Sequence, residues 1–250
     1  MIRSESSERR VALVTGAGGA LGAAIARALI KEGHRVVITD ADKPALDTIA
    51  RELGEAAFPI AFDLSDPAAI KSACDTVRER VGNVDILVNN AGLLSNNKLA
   101  ETEPKEWRHI LAVNLDGPFL LTREFAPSMR EKRWGRIVNI CSVAMKTGGL
   151  TAGTAYTSSK GALAAFTFSL AREFAPHGVT ANGISPAYVR SKMIDVQLTE
   201  EQRQKTLRGI PVGRFCEPDE VAHAVLFLCS PLSGFITGEI LDINGGLHLD

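Results

Sequence analysis

Five apolar-biased residues, Val11-Ala12-Leu13-Val14-Thr15, run directly into Gly16-Ala17-Gly18-Gly19-Ala20-Leu21-Gly22, and a helical apolar pattern follows over 23–31. A strand that ends in a glycine loop and restarts as a helix is a βα unit. The glycines let the backbone turn tightly and approach an anionic group, while the helix N-terminus offers unpaired N–H groups and a positive dipole end. A second strand is expected over 35–39, and it delivers Asp40 to the same edge. A carboxylate at that place can accept hydrogen bonds from ribose hydroxyls.

The alternation then continues. Helices are expected over 45–53, 67–81, 104–113, 155–174 and 218–229, with another starting near Pro118; strands are expected over 57–62, 84–88, 135–140, 179–184 and 239–243. Repeated βα order predicts an α/β fold, a doubly wound parallel sheet with helices on both faces. Polar or flexible groups cluster where strands end: Asp63-Leu64, Asn89-Asn90-Ala91-Gly92 and Ser142. Open sheets of this kind bind ligands at the carboxyl ends of their strands.

The chain of 250 residues is 45% hydrophobic, enough for one large core, and it shows no repeat or linker. We expect a flexible arm over 1–10 and a single domain over 11–250, with an amphipathic flap over 187–209 covering a pocket. The net charge of -1 gives no basic field for nucleic acid or an anionic membrane. The four cysteines lack CxxC spacing and the five histidines lack ligand spacing, so reduced thiols, a cytoplasmic location and no metal are expected. No apolar run is long enough to span a membrane.

Tyr156 and Lys160 stand four residues apart in an expected helix, on one face of it. An ammonium beside a phenol favours the phenolate, so a lowered Tyr156 pKa and an acid/base role are expected.

Taken in order from Val11 to Gly246, these motifs resemble the short-chain dehydrogenase/reductase family: Thr15-Gly16 to Gly22, Asp63, Asn89 to Gly92, Asn114, Ser142, Tyr156 with Lys160, Pro186, and Asp242 to Gly246. The resemblance implies a Rossmann fold and an oxidoreductase passing a hydride between NAD(H) and a secondary alcohol or ketone. It implies that Tyr156 is the acid/base, that Lys160 lowers its pKa and binds the nicotinamide ribose, that Ser142 polarises the substrate oxygen, and that Asn114 supports a proton-relay water. Cofactor contacts are implied for Gly16, Gly18, Gly19, Leu21 and Gly22, for Asp40, Asp63 and Leu64, for Asn90, Ala91 and Gly92, and for Val189 and Ser191. Two other readings accompany this one: a 3-oxoacyl-thioester (acyl-carrier-protein) reductase, and a non-catalytic dinucleotide-binding protein of the same fold. The family also implies a homotetramer pairing its last helix and last strand across two-folds.

Three positions depart from the family's commonest pattern. Ala20 replaces the middle glycine of the loop, one extra residue lies between Ser142 and Tyr156, and Ala187 stands where glycine usually follows the proline. Leu93, Leu94, Met145, Leu150, Tyr188 and Met193 suggest a partly apolar substrate pocket.

Overall fold

The computed structural model describes residues 9–190 and 199–249. Most of the expected arm and the middle of the expected flap, including Ser191 and Met193, lie outside the described residues.

The strands are β1 (Val11–Thr15), β2 (Arg35–Asp40), β3 (Ala57–Ala61), β4 (Ile86–Asn89), β5 (Gly135–Ile140), β6 (Val179–Pro186) and β7 (Ile240–Ile243). They form a seven-stranded sheet in the order β3-β2-β1-β4-β5-β6-β7, with every pairing parallel. The order reverses between β1 and β4. That reversal opens a crevice at the strands' carboxyl ends, the place where doubly wound sheets hold their ligands.

The helices are α1 (Ala20–Lys31), α2 (Lys43–Leu53), α3 (Pro67–Arg80), α4 (Pro104–Leu111), α5 (Gly117–Lys132), α6 (Ala144–Thr147), α7 (Thr154–Phe174), α8 (Glu200–Arg208) and α9 (Pro218–Cys229). Alternate residues along each strand feed opposite faces of the sheet. On one face Ala12, Val14, Val36, Ile38 and Val138 pack against Ile25 and Leu29 of α1 and Val221, Val225 and Leu228 of α9. On the other, Leu13, Val37, Leu87 and Ile137 meet Ile70 and Val77 of α3, Leu121 and Phe125 of α5, and Leu170 of α7. Burial on both faces explains why these strands read as continuous apolar runs rather than alternating ones.

Two local features differ from the sequence expectation. The helix expected to end before Asn114 does not break: a π-helical turn over Ala112–Asp116 joins α4 to α5. Pro118 is accommodated because it directly follows the π turn, where the ordinary i to i−4 ladder is already interrupted. The stretch expected as loop after Ser142 contains the short helix α6, closed by Gly148 at φ 73°.

Candidate active site

The crevice is lined first by the loop between β1 and α1. Gly16 has φ 67°, and a side chain there would bring a Cβ within 2.8 Å of Ala91 Cα. At Gly22 a Cβ would collide with the Gly16 carbonyl and lie 2.8 Å from both Ala17 Cα and Asn90 Nδ2. These two glycines are therefore required by close approach. Ala20 is different: it is exposed and begins α1 with no need of a left-handed backbone, so its methyl is tolerated. The N-cap of α1 is Gly19, which brings no capping side chain, so the first-turn N–H groups face the crevice without an intrahelical partner. Leu21 packs partly against the core.

Thr15, to which the sequence reading gave no separate role, ties this loop to the turn after β4. Its hydroxyl accepts the N–H groups of Asn90 at 3.0 Å and Ala91 at 2.9 Å. Asn90 Nδ2 returns a bond to Thr15 O at 2.8 Å. A hydroxyl residue closing an apolar run is the signal the sequence carries. At the end of β2, Asp40 accepts the Gly18 N–H on one oxygen and the Asp42 N–H on the other, both at 2.9 Å. Each carboxylate oxygen keeps a further lone pair for another donor. The glycine cradle, the uncapped helix end and this fixed carboxylate suit a dinucleotide's pyrophosphate and adenosine ribose.

Asp63 and Leu64 follow β3. Asp63 is exposed, and the Ser65 backbone and hydroxyl bonds hold its carboxyl below the ordinary range. The Leu64 side chain is buried against Gly117. Its side chain is thus a core contact, and only its backbone remains for a ligand. Val189 pairs across an isolated bridge with Cys216, placing it at the exit of β6. Ala187 donates its N–H to Ile243 O at 3.0 Å, so an L-residue after Pro186 is held without strain.

Deeper in the crevice stand Asn114, Ser142, Tyr156 and Lys160. Tyr156 lies in the first turn of α7 and Lys160 one turn on, its Nζ 5.7 Å from the centre of the phenol ring. Lys160 is buried and donates to Ile140 O at 2.6 Å, at the end of β5. Ser142 follows that strand, buried, with its hydroxyl accepting the Ala144 N–H at 3.2 Å and close enough to Tyr156 to favour the ionised phenol.

The expected lowering of the Tyr156 pKa is corrected here. Burial raises the phenol, opposed by the Ser142 bond, and burial also lowers Lys160 to about 8. The ammonium donates to the Ile140 carbonyl, and it is not among the groups that shift the phenol.

Asn114 sits in the π turn, fully buried. It accepts the Leu93 N–H at 2.7 Å and donates to Leu93 O and Ser159 Oγ, each at 3.0 Å. Ser159 in turn donates to the Tyr156 carbonyl at 2.7 Å. Ser159 thus links Asn114 to the helix that carries the phenol, a role missed because its neighbours Tyr156 and Lys160 drew the reading. Gly92 completes the cluster: a Cβ there would lie 3.3 Å from Lys160 Nζ and 3.4 Å from Asn114 Oδ1. Behind these groups, Asn89 donates to Asn139 at 2.8 Å and Asn139 to Thr167 at 2.8 Å, fastening β4 and β5 to α7.

The family model described as Enoyl-(Acyl carrier protein) reductase matches residues 16–248. The chain belongs to the short-chain dehydrogenase/reductase family. It is 40% identical over 242 residues to the 3-oxoacyl-[acyl-carrier-protein] reductase FabG of Aquifex aeolicus, covering 95% of this chain and 97% of that one. It is 38% identical to the Vibrio harveyi protein of the same name, over 97% and 98% of the two chains. Among solved structures, a 3-ketoacyl-(acyl-carrier-protein) reductase from Brucella melitensis complexed with NADH superposes with a TM-score of 0.90 at 34% identity, covering 96% of this chain and 98% of the other. A glucose/ribitol dehydrogenase-type member from the same organism also gives 0.90, at 33% identity and coverages of 96% and 97%. As a member of this family the chain is a nicotinamide-dinucleotide-dependent oxidoreductase acting on a carbonyl or hydroxyl group.

Among the described residues no helix is long and apolar enough to cross a membrane, and no cluster of His, Cys, Asp or Glu could hold a metal ion. The four thiols are free. Burial pushes Cys74 and Cys229 up to about 12 and Cys141 and Cys216 to about 11.

Proposed function

We propose that this chain is an NAD(H)-dependent dehydrogenase/reductase of secondary alcohols and ketones. The observation that carries the reading is the convergence of Ser142, Tyr156, Lys160 and Asn114 at the crevice, joined through Ile140 and Ser159. The nicotinamide supplies the hydride when bound. The chain's own groups handle charge and the proton. As a carbonyl carbon is reduced, its oxygen gains negative charge; the Ser142 hydroxyl donates to that oxygen and the Tyr156 phenol gives it a proton. An uncharged phenol, the ordinary form at neutral pH, suits that direction. Lys160, beside the ring and Gly92, is the cation for the nicotinamide ribose, and Asn114 holds the Leu93 turn and the start of α7 in register. Val189 and Ser191 are assigned to the nicotinamide end, and residues 11–250 to one dehydrogenase domain. A cytoplasmic homotetramer is the assembly that goes with it.

The test is Tyr156→Phe with NADH and a panel of ketones. Turnover should fall by roughly 10²- to 10⁴-fold while NADH binding, followed by nicotinamide fluorescence, stays within a factor of a few. Near-normal turnover in the variant would remove the assignment.

A second reading is favoured by the names of the relatives: a 3-oxoacyl-thioester reductase. Comparing kcat/KM for an acetoacetyl thioester with that for simple ketones separates the two. Preference for the thioester by more than roughly tenfold would favour the second.

Cofactor choice rests on Asp40. Its carboxylate, fixed by two backbone N–H groups, accepts hydrogen bonds from ribose hydroxyls, whereas a 2′-phosphate would meet it as a second anion. The next residue is Ala41, so no cation stands there to offset it. Gaining a charged hydrogen bond and avoiding a like-charge contact amounts to about 2–4 kcal/mol, or roughly 30- to 1,000-fold in favour of NAD. Asp40→Ala with Ala41→Arg should erase or reverse that ratio in steady-state kinetics. Equal efficiency of the unaltered enzyme with NADP would show the reading of Asp40 to be wrong.

A further inference from the structure

Between Ser142 and Tyr156 the chain makes an irregular excursion over residues 148–153, immediately before α7, whose third residue is Tyr156. Gly148 and Gly149 both have left-handed backbones, at φ 73° and 76°, and Leu150 projects outward, 62% exposed. A loop with two such glycines has little local preference for one shape. Its conformation must be imposed from outside.

The imposing contacts come from the turn after β4. The Lys98 ammonium donates to Gly149 O at 2.8 Å and to Ala152 O at 2.6 Å, gathering both ends of the loop's tip onto one cation. The backbone alongside repeats the attachment: Gly153 N–H donates to Ser95 O at 2.6 Å and Thr154 N–H to Asn97 O at 3.0 Å. Those two donors have no partner within α7, being its N-cap and first residue, three and two residues before Tyr156. The turn is itself anchored. Glu106 of α4 takes the Ser95 hydroxyl on one carboxylate oxygen and Asn97 Nδ2 at 2.8 Å on the other, and these bonds hold its carboxyl below the ordinary range. Lys98 N–H is held by Glu101 at 2.9 Å, and its carbonyl accepts from Thr102. On the far side of the loop, the Thr151 hydroxyl meets the Tyr188 hydroxyl at 3.2 Å, at the start of the flap. The loop is therefore held on two sides, by the turn after β4 and by Tyr188, with Lys98 as its charged fastening.

We propose that Lys98 is a specificity-determining positioning residue: by clasping the carbonyls of Gly149 and Ala152 it fixes the width of the opening beside Tyr156, and so the size of carbonyl substrate admitted. It touches neither the reacting carbonyl nor the catalytic groups and acts through the loop. The substrate part of this proposal rests on the carbonyl-reductase reading above; the loop's fastening does not.

The experiment uses the full-length enzyme, with Lys98→Met and Lys98→Arg, and a series of ketones of increasing bulk. Lys98→Met should lower kcat/KM for the smallest ketone by roughly tenfold, mainly through KM, and raise the bulky-to-small ratio by a similar factor, with NADH binding unchanged. Arginine, which can donate to both carbonyls, should restore most of the unaltered pattern. Hydrogen exchange of the peptide containing 148–153 reads the fastening without turnover, and Lys98→Met should speed it by roughly tenfold while α9 exchanges as before. Unchanged exchange would overturn the fastening. Faster exchange with an unaltered size profile would overturn the specificity role. Faster exchange in a protein that reduces none of the ketones would overturn the functional reading and leave the fastening standing.

Discussion

Lys160 shows how a single residue is set by opposing effects. Its ammonium is buried, is given one short bond to Ile140 O, and has its pKa brought down to about 8. A lysine whose folded pKa lies below its unfolded value binds fewer protons folded than unfolded, so stability rises with pH within that interval. Below about 8 both states are protonated and the full burial penalty is present; above the ordinary 10.5 it is gone. The shift corresponds to roughly 3 kcal/mol. Lys160→Met removes the penalty, so the variant's advantage over the unaltered enzyme in urea unfolding should shrink steadily between those two values. A difference that stays flat with pH would show that burial does not destabilise this ammonium. The same residue illustrates why a spacing of four predicts proximity correctly but not the sign of a pKa shift. Desolvation depends on what else surrounds the pair, and that is not local information.

At the scale of an element, the π turn over Ala112–Asp116 is the feature on which the position of Asn114 depends. A π turn carries one more residue per turn than an α-helix allows, and such turns often mark functional sites. Here it aims Asn114 at Leu93 and Ser159 while α4 and α5 continue as one rod. Deleting Asp116 should let the segment close as ordinary α-helix and rotate α4 and Asn114 by about 100° relative to α5. We expect turnover to drop by roughly 10²-fold, with far-UV circular dichroism close to that of the unaltered protein. Retained turnover would mean that Asn114 is dispensable for positioning. The sequence placed Asn114 at a helix boundary, with the next helix starting near Pro118, and periodicity alone does not distinguish a break from one extra residue in the turn.

At the scale of the whole molecule, Phe227, Leu232 and Phe235 stand at the end of α9 and just beyond, 49%, 84% and 102% exposed. Large apolar groups gathered in one region are a common mark of a surface that is covered in the assembled protein. In the homotetramer proposed above, the last helix and last strand pair across a two-fold and bury this region. Sedimentation at micromolar concentration should give the mass of four chains, and Phe235→Asp should yield a smaller species without loss of secondary structure. A one-chain mass for the unaltered protein would overturn the assembly.

The sequence by itself determined the order of the strands and of the helices other than α6 and α8, the parallel sheet, the glycine loop and the identity of the candidate acid/base pair. These are carried by local signals: apolar runs, glycines at sharp turns, and residues spaced to share a helix face. β1, β5 and α9 span the expected residues, and Asp40 ends β2 with its carboxylate held at the loop. Tertiary structure alone decided what the buried polar groups do. Thr15 fastening two turns, Ser159 joining Asn114 to α7, Asn89 and Asn139 reaching Thr167, and Lys98 clasping the loop over 148–153 all join residues far apart in the chain or drawn together by its packing. The direction of the Tyr156 shift belongs with them. A hydrogen-bond partner brought in by packing leaves no periodicity in the sequence, and desolvation is a property of the surroundings rather than of the residue.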